Sequence, residues 1–329
     1  MKIYVGVTDH DWFDYLRSFS AQPPLSPQTE SPAPLDEVNF WQPSPDSRFR
    51  AIQAGDLFLF KLHRSARTAH KDLIAGGGVM ASYSELPISF AWETFGVKNG
   101  AGSYLDMRRQ IIHYRRIQDN PLEDFKIGCI ILTQPFFFDE SEWFPVPEWG
   151  KSIVRGKTYA FDSEAGQTIW QNLTHIWQRR KIFSLDKEAQ QLEEEYDRYG
   201  KETIIRPRLG QGSFRVEVTD AYNRACAITQ ERALPVLEAA HIKSYSDGGP
   251  HEINNGLLLR SDFHRLFDSG YITVTPEYRI EVSRRIKEEF DNGKYYFTFQ
   301  GMNIHTPHSS LDRPSSEFLI WHNEKKFKG

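Results

Sequence analysis

Residues 237–268 read LEAAHIKSYSDGGPHEINNGLLLRSDFHRLFD, and this stretch decides the fold of the C-terminal part of the chain. Pro235 to His241 ends as a short strand, with Leu237, Ala239 and His241 on one side and Glu238 and Ala240 on the other. The loop KSYSDGGPHEIN is rich in turn formers, and GLLLR (256–260) reads as a second strand. Ser261 is a good N-cap for the short helix DFHRLFD, on which His264 and Asp268 stand at i and i+4 on one face. The stretch therefore spells strand, loop, strand, helix. It places His241 at a strand end, Asn255 fourteen residues on, and His264 nine further.

That spacing can gather a proton acceptor, an orienting amide and a metal ligand around one phosphate. Deprotonating water near neutral pH suits histidine. The crowded charge of a phosphodiester calls for a hard cation held by few protein ligands. An asparagine side chain or a backbone carbonyl can then fix the orientation of the basic histidine. The run AHI, NG–LLL and H–LFD, preceded by GQGSFR (210–215) and CAIT (226–229), resembles the HNH endonucleases of the ββα-metal fold. The resemblance covers roughly residues 205–300. It implies His241 as general base, Asn255 as the orienting residue and His264 as metal ligand, with Mg²⁺ or Mn²⁺ as the ion. Ala240 stands where many relatives place an aspartate or histidine that binds metal. Glu238 or Asp268 replaces that ligand, or His264 and water hold most of the ion. The paired cysteines that bind structural zinc in some relatives are absent here.

The neighbouring residues have plainer readings as well. Asn254 reads as a turn residue and His251 as a solvated loop histidine. Asp268 can serve equally as a ligand or as a terminator ahead of Gly270, and Cys226 reads as a small core residue. Arg260, Arg265 and Lys243 are candidates for gripping DNA phosphates, with solvated charge beside a helix as the alternative.

Composition sets the wider frame. A chain of 329 residues fits two domains of ordinary size, and 23 Phe, 14 Tyr and 8 Trp leave aromatic side chains for binding surfaces as well as cores. No apolar run approaches a membrane span, and MKIYVGVTDHDW lacks the features of a signal peptide, so a soluble cytoplasmic protein is expected. Two cysteines exclude a disulfide framework and a four-cysteine zinc site. The net charge of −4 speaks against non-specific coating of nucleic acid, so DNA binding must rest on local basic patches.

The first part of the chain reads as many short strands with a few helices. Met1–Thr8 is a strand, and Asp9 caps a helix through Ser18. Residues 22–35, QPPLSPQTESPAPL, form a loop with five prolines. Further strands are VNFWQ (38–42), DLFLFKLH (56–63), DLIAGGGVMAS (72–82, interrupted by Gly76–Gly78) and FKIGCIILTQPFFF (125–138). Residues 103–118 form a helix burying Leu105, Ile111 and Ile112 opposite several arginines. Arg108, Arg109, Arg115 and Arg116 present either a phosphate-binding face or a solvated one. Helices follow at 166–181 and 186–199, the second highly charged and read as a connector. A helix built on Phe214, Val218 and Tyr222 ends near Cys226.

The arrangement GDLFLFK followed by IAGGGV is loosely similar to the PUA-like superfamily, which includes EVE, YTH and SRA reading domains. That similarity implies an aromatic pocket for a flipped or modified base, for which Trp12, Trp41, Phe90 and Trp92 are candidates; core packing is the other reading of these side chains. The fold expected is α+β: a PUA-like β-barrel with helices over residues 1–180, a helical linker over 181–204 and a ββα-metal (HNH) domain over 205–329. Such a fusion resembles bacterial restriction enzymes that cleave foreign double-stranded DNA bearing modified cytosine. The alternatives are a defence nuclease answering a backbone modification or a small signal, and a non-catalytic DNA-binding protein. One site per chain cuts one strand, so a double-strand break requires a homodimer or two sequential events.

Overall fold

In the computed structural model, residues 1–20, 35–45, 49–69, 71–183 and 210–329 are described. They divide into two compact units, Met1–Pro207 and Arg208–Gly329. The proline-rich loop and the charged connector helix expected from sequence lie almost wholly outside the described residues.

The first unit is built on one seven-stranded mixed sheet with strand order β2-β5-β4-β3-β1-β7. Its strands are β1 (Lys2–Thr8), β2 (Glu37–Gln42), β3 (Leu57–Leu62), β4 (Leu73–Pro87), β5 (Lys126–Phe137), β6 (Phe144–Pro145) and β7 (Gly156–Ala160), with β6 pairing the start of β4. β1 runs parallel to β3 and antiparallel to β7, and the remaining pairs are antiparallel. Among the described residues the barrel expected from sequence is not formed: the sheet is open, with β2 at one end and the five-residue β7 at the other. The 15 residues of β4 carry register shifts against both β3 and β5, irregularities of the kind that bend a strand.

Gly76–Gly78 do not interrupt β4, which runs through them. A Cβ at Gly77 would stand 2.6 Å from the Phe58 carbonyl oxygen and 2.8 Å from the Phe136 ring, so glycine is what lets three strands approach here. Helix α1 (His10–Ser20) begins where Asp9 Oδ1 accepts the amides of Asp11 and Trp12. Its buried Trp12 and Phe13 meet Phe40, Phe60 and Phe137 edge-on. Helices α2 (Ile88–Phe95), α3 (Tyr104–Arg115) and α4 (Glu164–Phe183) complete the unit.

The face of α3 differs from the sequence expectation. Leu105 is 64% exposed, while Met107, Arg108 and Ile111 are buried. Arg108 donates to Asp119 and to the carbonyls of Asn120 and Glu123, and its guanidinium lies over Phe125 beside that of Arg115. Arg115 donates to the carbonyls of Pro43 and Lys126. These two arginines knit the unit together and do not form a phosphate-binding face; Arg109, paired with Asp106, stays exposed.

The second unit opens with α5 (Gln211–Ala221), which ends earlier than expected. Strands β8 (Leu237–His241) and β9 (Gly256–Arg260) pair antiparallel, with His241 opposite Gly256, and α6 (Ser261–Asp268) follows directly. The unit is thus of the ββα type. A small hairpin of β10 (Ile272–Val274) and β11 (Ile280–Val282), short helices α7 (Arg285–Phe290) and α8 (Lys294–Phe297), and α9 (Ser316–Lys325) close it. Its core joins Phe214, Val218, Leu257–Leu259, Phe263, Phe267, Ile272 and Leu319. No helix among the described residues is long and apolar enough to cross a membrane.

Candidate active site

The loop between β8 and β9 is closed by one buried amide. Asn255 is fully buried; its Oδ1 accepts the Lys243 N–H at 2.9 Å, and its Nδ2 donates to the carbonyls of Lys243 and Pro250, each at 2.9 Å. Backbone pairing of Ile242 N–H with the Asn255 carbonyl extends the ladder into the loop. A Cβ at Gly249 would collide with the Lys243 carbonyl, so glycine is required for this tight closure. The Asn255 side chain is thus committed to the loop backbone.

His241 ends β8 and stacks on Phe214 of α5, with centroids 3.9 Å apart and planes within 11°. Its Nε2 lies 2.9 Å from Nδ1 of His251. His251, expected as a solvated loop histidine, is half-buried and stacks on Tyr245 at 4.7 Å. Burial first, and then the neighbouring His251 and His264, push the His241 pKa down to about 4. Its imidazole is therefore neutral at physiological pH, the form a base requires.

His264 sits on α6 between two carboxylates. Its Nδ1 meets Glu238 Oε2 at 2.6 Å, and its Nε2 meets Asp268 Oδ2, one turn away, at 3.2 Å. The carboxylates engage opposite ring nitrogens, so the three side chains do not converge on one point. Among the described residues no group of three His, Cys, Asp or Glu donors is placed to hold a metal ion. A smaller donor set is present: His264 Nε2 with an Asp268 oxygen beside it. A carboxylate at Nδ1 fixes the tautomer that leaves Nε2 to coordinate. One imidazole and one carboxylate suit a divalent ion that keeps most of its shell as water and phosphate oxygen. Ala240 is fully buried beneath the strand pair and brings no donor to it.

Ser261 is the first residue of α6 and not its cap; the cap position is Arg260, without a side-chain cap bond. Arg260 makes a bidentate pair with Asp262, both bonds 2.7 Å, and its guanidinium lies over Phe263 and Tyr295. Its side chain remains 25% exposed. Arg265 is exposed. Lys243 places its ammonium over the Trp321 ring at 5.8 Å. Cys226 is a buried core residue whose sulfur accepts the amides of Thr229 and Arg260. Phe214, Tyr245 and His251 surround His241; the sequence reads Phe214 as helix core and His251 as a loop histidine, and places neither beside His241. Tyr245 and His251 are ring-bearing residues close to His241 in sequence, Phe214 lies 27 positions before it, and their meeting depends on how the chain folds around the loop.

In the first unit, Trp12 and Trp41 line a cavity of about 420 Å³ together with Phe40, Tyr114, Asp9, His63 and Arg155. Trp41 is fixed by its Nε1–H, which donates to the Asn99 carbonyl at 2.9 Å, and Tyr114 donates its hydroxyl proton to Asp9. Phe90 and Trp92 stand on α2 and are not among the walls of this cavity.

No curated protein sequence matches the chain. The strand pair and helix that carry His241 and His264 coincide with a family match: residues 226–275 are similar to the family described as HNH endonuclease.

Proposed function

We propose that the chain is a metal-dependent DNA endonuclease in which His241 deprotonates the attacking water. The observation that carries this reading is a neutral, ring-stacked histidine at the end of β8, set beside a second histidine that is flanked by carboxylates on α6. His264 and Asp268 would hold the divalent ion, with Glu238 orienting the imidazole. When bound, such an ion stabilises charge on the phosphate and on the departing oxygen. Asn255 keeps the loop in place, and exposed Arg265 with Lys243 contributes cations to the phosphate backbone. The purified chain with Mg²⁺ or Mn²⁺ is expected to cut DNA. His241→Ala should lower the rate by roughly 10²–10⁴-fold while folding and DNA binding persist, the range for loss of a general base. Undiminished cutting by that variant would sink the mechanism.

The first unit, in this reading, selects the DNA, and modified cytosine is the proposed target. Support comes from its aromatic cavity, whose volume and mixed lining suit one extruded base: Trp12, Phe40, Trp41 and Tyr114 offer ring faces and edges, and Asp9, His63 and Arg155 offer polar groups. A panel of duplexes differing only in cytosine modification, compared at one stated salt concentration, tests the selection. Equal cutting of all members would remove the modified-base reading and leave the nuclease.

A further inference from the structure

His251 is held against His241 by the backbone and not by chance proximity. The Asn255 amide donates to the carbonyl of Pro250, the residue immediately before it, and Gly249 is packed too tightly to bear a side chain. Tyr245 stacks on the His251 ring from the loop, while Phe214 supports His241 from α5. The two imidazoles meet with planes 62° apart and Nε2 of His241 2.9 Å from Nδ1 of His251. Two neutral imidazoles at that separation share a single proton, so the tautomer of one dictates the tautomer of the other.

For His241 to act as a base, one of its nitrogens must present a lone pair to water. The nitrogen facing His251 cannot do so while it is engaged there. We infer that His251 is a positioning residue, accepting the Nε2–H of His241 at its own Nδ1 and thereby fixing Nδ1 of His241 as the atom that takes the proton from water. The inference rests on the nuclease reading for its catalytic consequence, although not for its geometry. In the step itself, a water O–H bond breaks and an N–H bond forms at His241 Nδ1. The hydroxyl oxygen bonds to phosphorus, and the bond to the departing oxygen breaks with its electron pair left on that oxygen, which solvent protonates. Throughout, the Nε2–H of His241 stays hydrogen-bonded to His251, and the imidazolium that forms strengthens that bond. A neutral acceptor orients the ring as a carboxylate would, without adding negative charge beside the phosphate.

The test compares full-length wild type with His251→Phe, which keeps a ring against Tyr245 but removes Nδ1, and His251→Asn, whose side-chain oxygen stands near the position of that nitrogen. Long-range ¹H–¹⁵N spectra of the histidine rings, with the His241 signals assigned by their loss in His241→Gln, report the tautomer directly. Cleavage of duplex DNA with Mn²⁺ reports kcat and KM. Wild type and the asparagine variant should show a protonated Nε2 and an unprotonated Nδ1 at His241. The phenylalanine variant should lose that preference, with kcat down roughly 10–100-fold, as for removal of an orienting partner, and KM within about twofold. Asparagine should restore kcat to within about threefold of wild type. A phenylalanine variant that keeps both tautomer and kcat overturns the inference, as does equal loss in both variants. Should His251→Phe fail to fold, His251→Ala with and without added imidazole makes the same comparison, and recovery with imidazole is the supporting result. An inactive wild type whose His241 tautomer still depends on residue 251 would count against the nuclease reading and for the pairing.

Discussion

Asn255 answers three backbone groups with one amide, and no other side chain of its size offers an acceptor and two donors in that geometry. Asn255→Ala strands the Lys243 N–H and two carbonyls in a buried site, so a loss of roughly 2–4 kcal/mol in urea unfolding is expected. Asn255→Asp should fare little better, because a carboxylate would face the carbonyls of Lys243 and Pro250; a variant within 0.5 kcal/mol of wild type, a margin of about the usual surface effect, would refute the clamp. His241, Asn255 and His264 were legible from sequence because each lies at the end or on the face of an element whose pattern is local. The pairing of His241 with His251 was not. It depends on closure of the loop of residues 242–255 by Asn255, and a histidine after a GGP turn looks solvated until that closure is known. Arg260 likewise reads as a free cation until Asp262 is seen to take both ends of its guanidinium.

Among the elements, α9 carries the clearest prediction. Its His322 is buried, stacks on Phe267 of α6 at 3.7 Å, and bonds Thr273 Oγ1 and the Phe267 carbonyl. Burial pushes its pKa down to about 4. The unfolded chain, with histidine near 6.5, therefore binds the proton more readily than the folded one, and stability must fall as pH drops from 6.5 toward 4. Each such histidine removes at most about 3 kcal/mol across that window, and His241 acts with the same sign. Urea titrations at pH 7.5 and 5.0 should show the loss, and His322→Gln should flatten part of it; an unchanged pH dependence would show that His322 is not the group responsible. In the first unit, Gly77→Ala should cost several kcal/mol, because the added methyl meets backbone on a strand paired at both edges. Strand existence in this sheet was legible from runs such as DLFLFKLH. The face of α3 was misread because Arg108, not Leu105, is the side chain that turns inward, satisfied by Asp119 and two carbonyls. The open sheet was not legible either, since alternation specifies strands and leaves the pairing of the outermost two undetermined.

For the molecule as a whole, the apolar clusters separate by unit: Ile3, Leu59, Phe138 and Ile169 belong to one, Phe214, Leu258, Phe263 and Phe267 to the other. Two cores predict two calorimetric transitions, and the phenylalanine beneath His241 distinguishes them. Phe214→Ala should lower only one, by roughly 3–5 kcal/mol of unfolding free energy for that unit. A single transition shifted as one would show that the units unfold together.

The pairing of Arg108, Arg115 and Arg260 with groups of their own units has a further consequence for how the protein would meet a polyanion. Each cation satisfied within the fold displaces no counterion when DNA arrives, and the chain as a whole carries −4. The logarithm of affinity should then fall only gently with the logarithm of salt, by about 0.9 per phosphate neutralised on duplex DNA. Such a protein gains little from lingering on arbitrary sequence. If the chain binds DNA as proposed, its residence on a given stretch would be decided by short-range complementarity more than by charge.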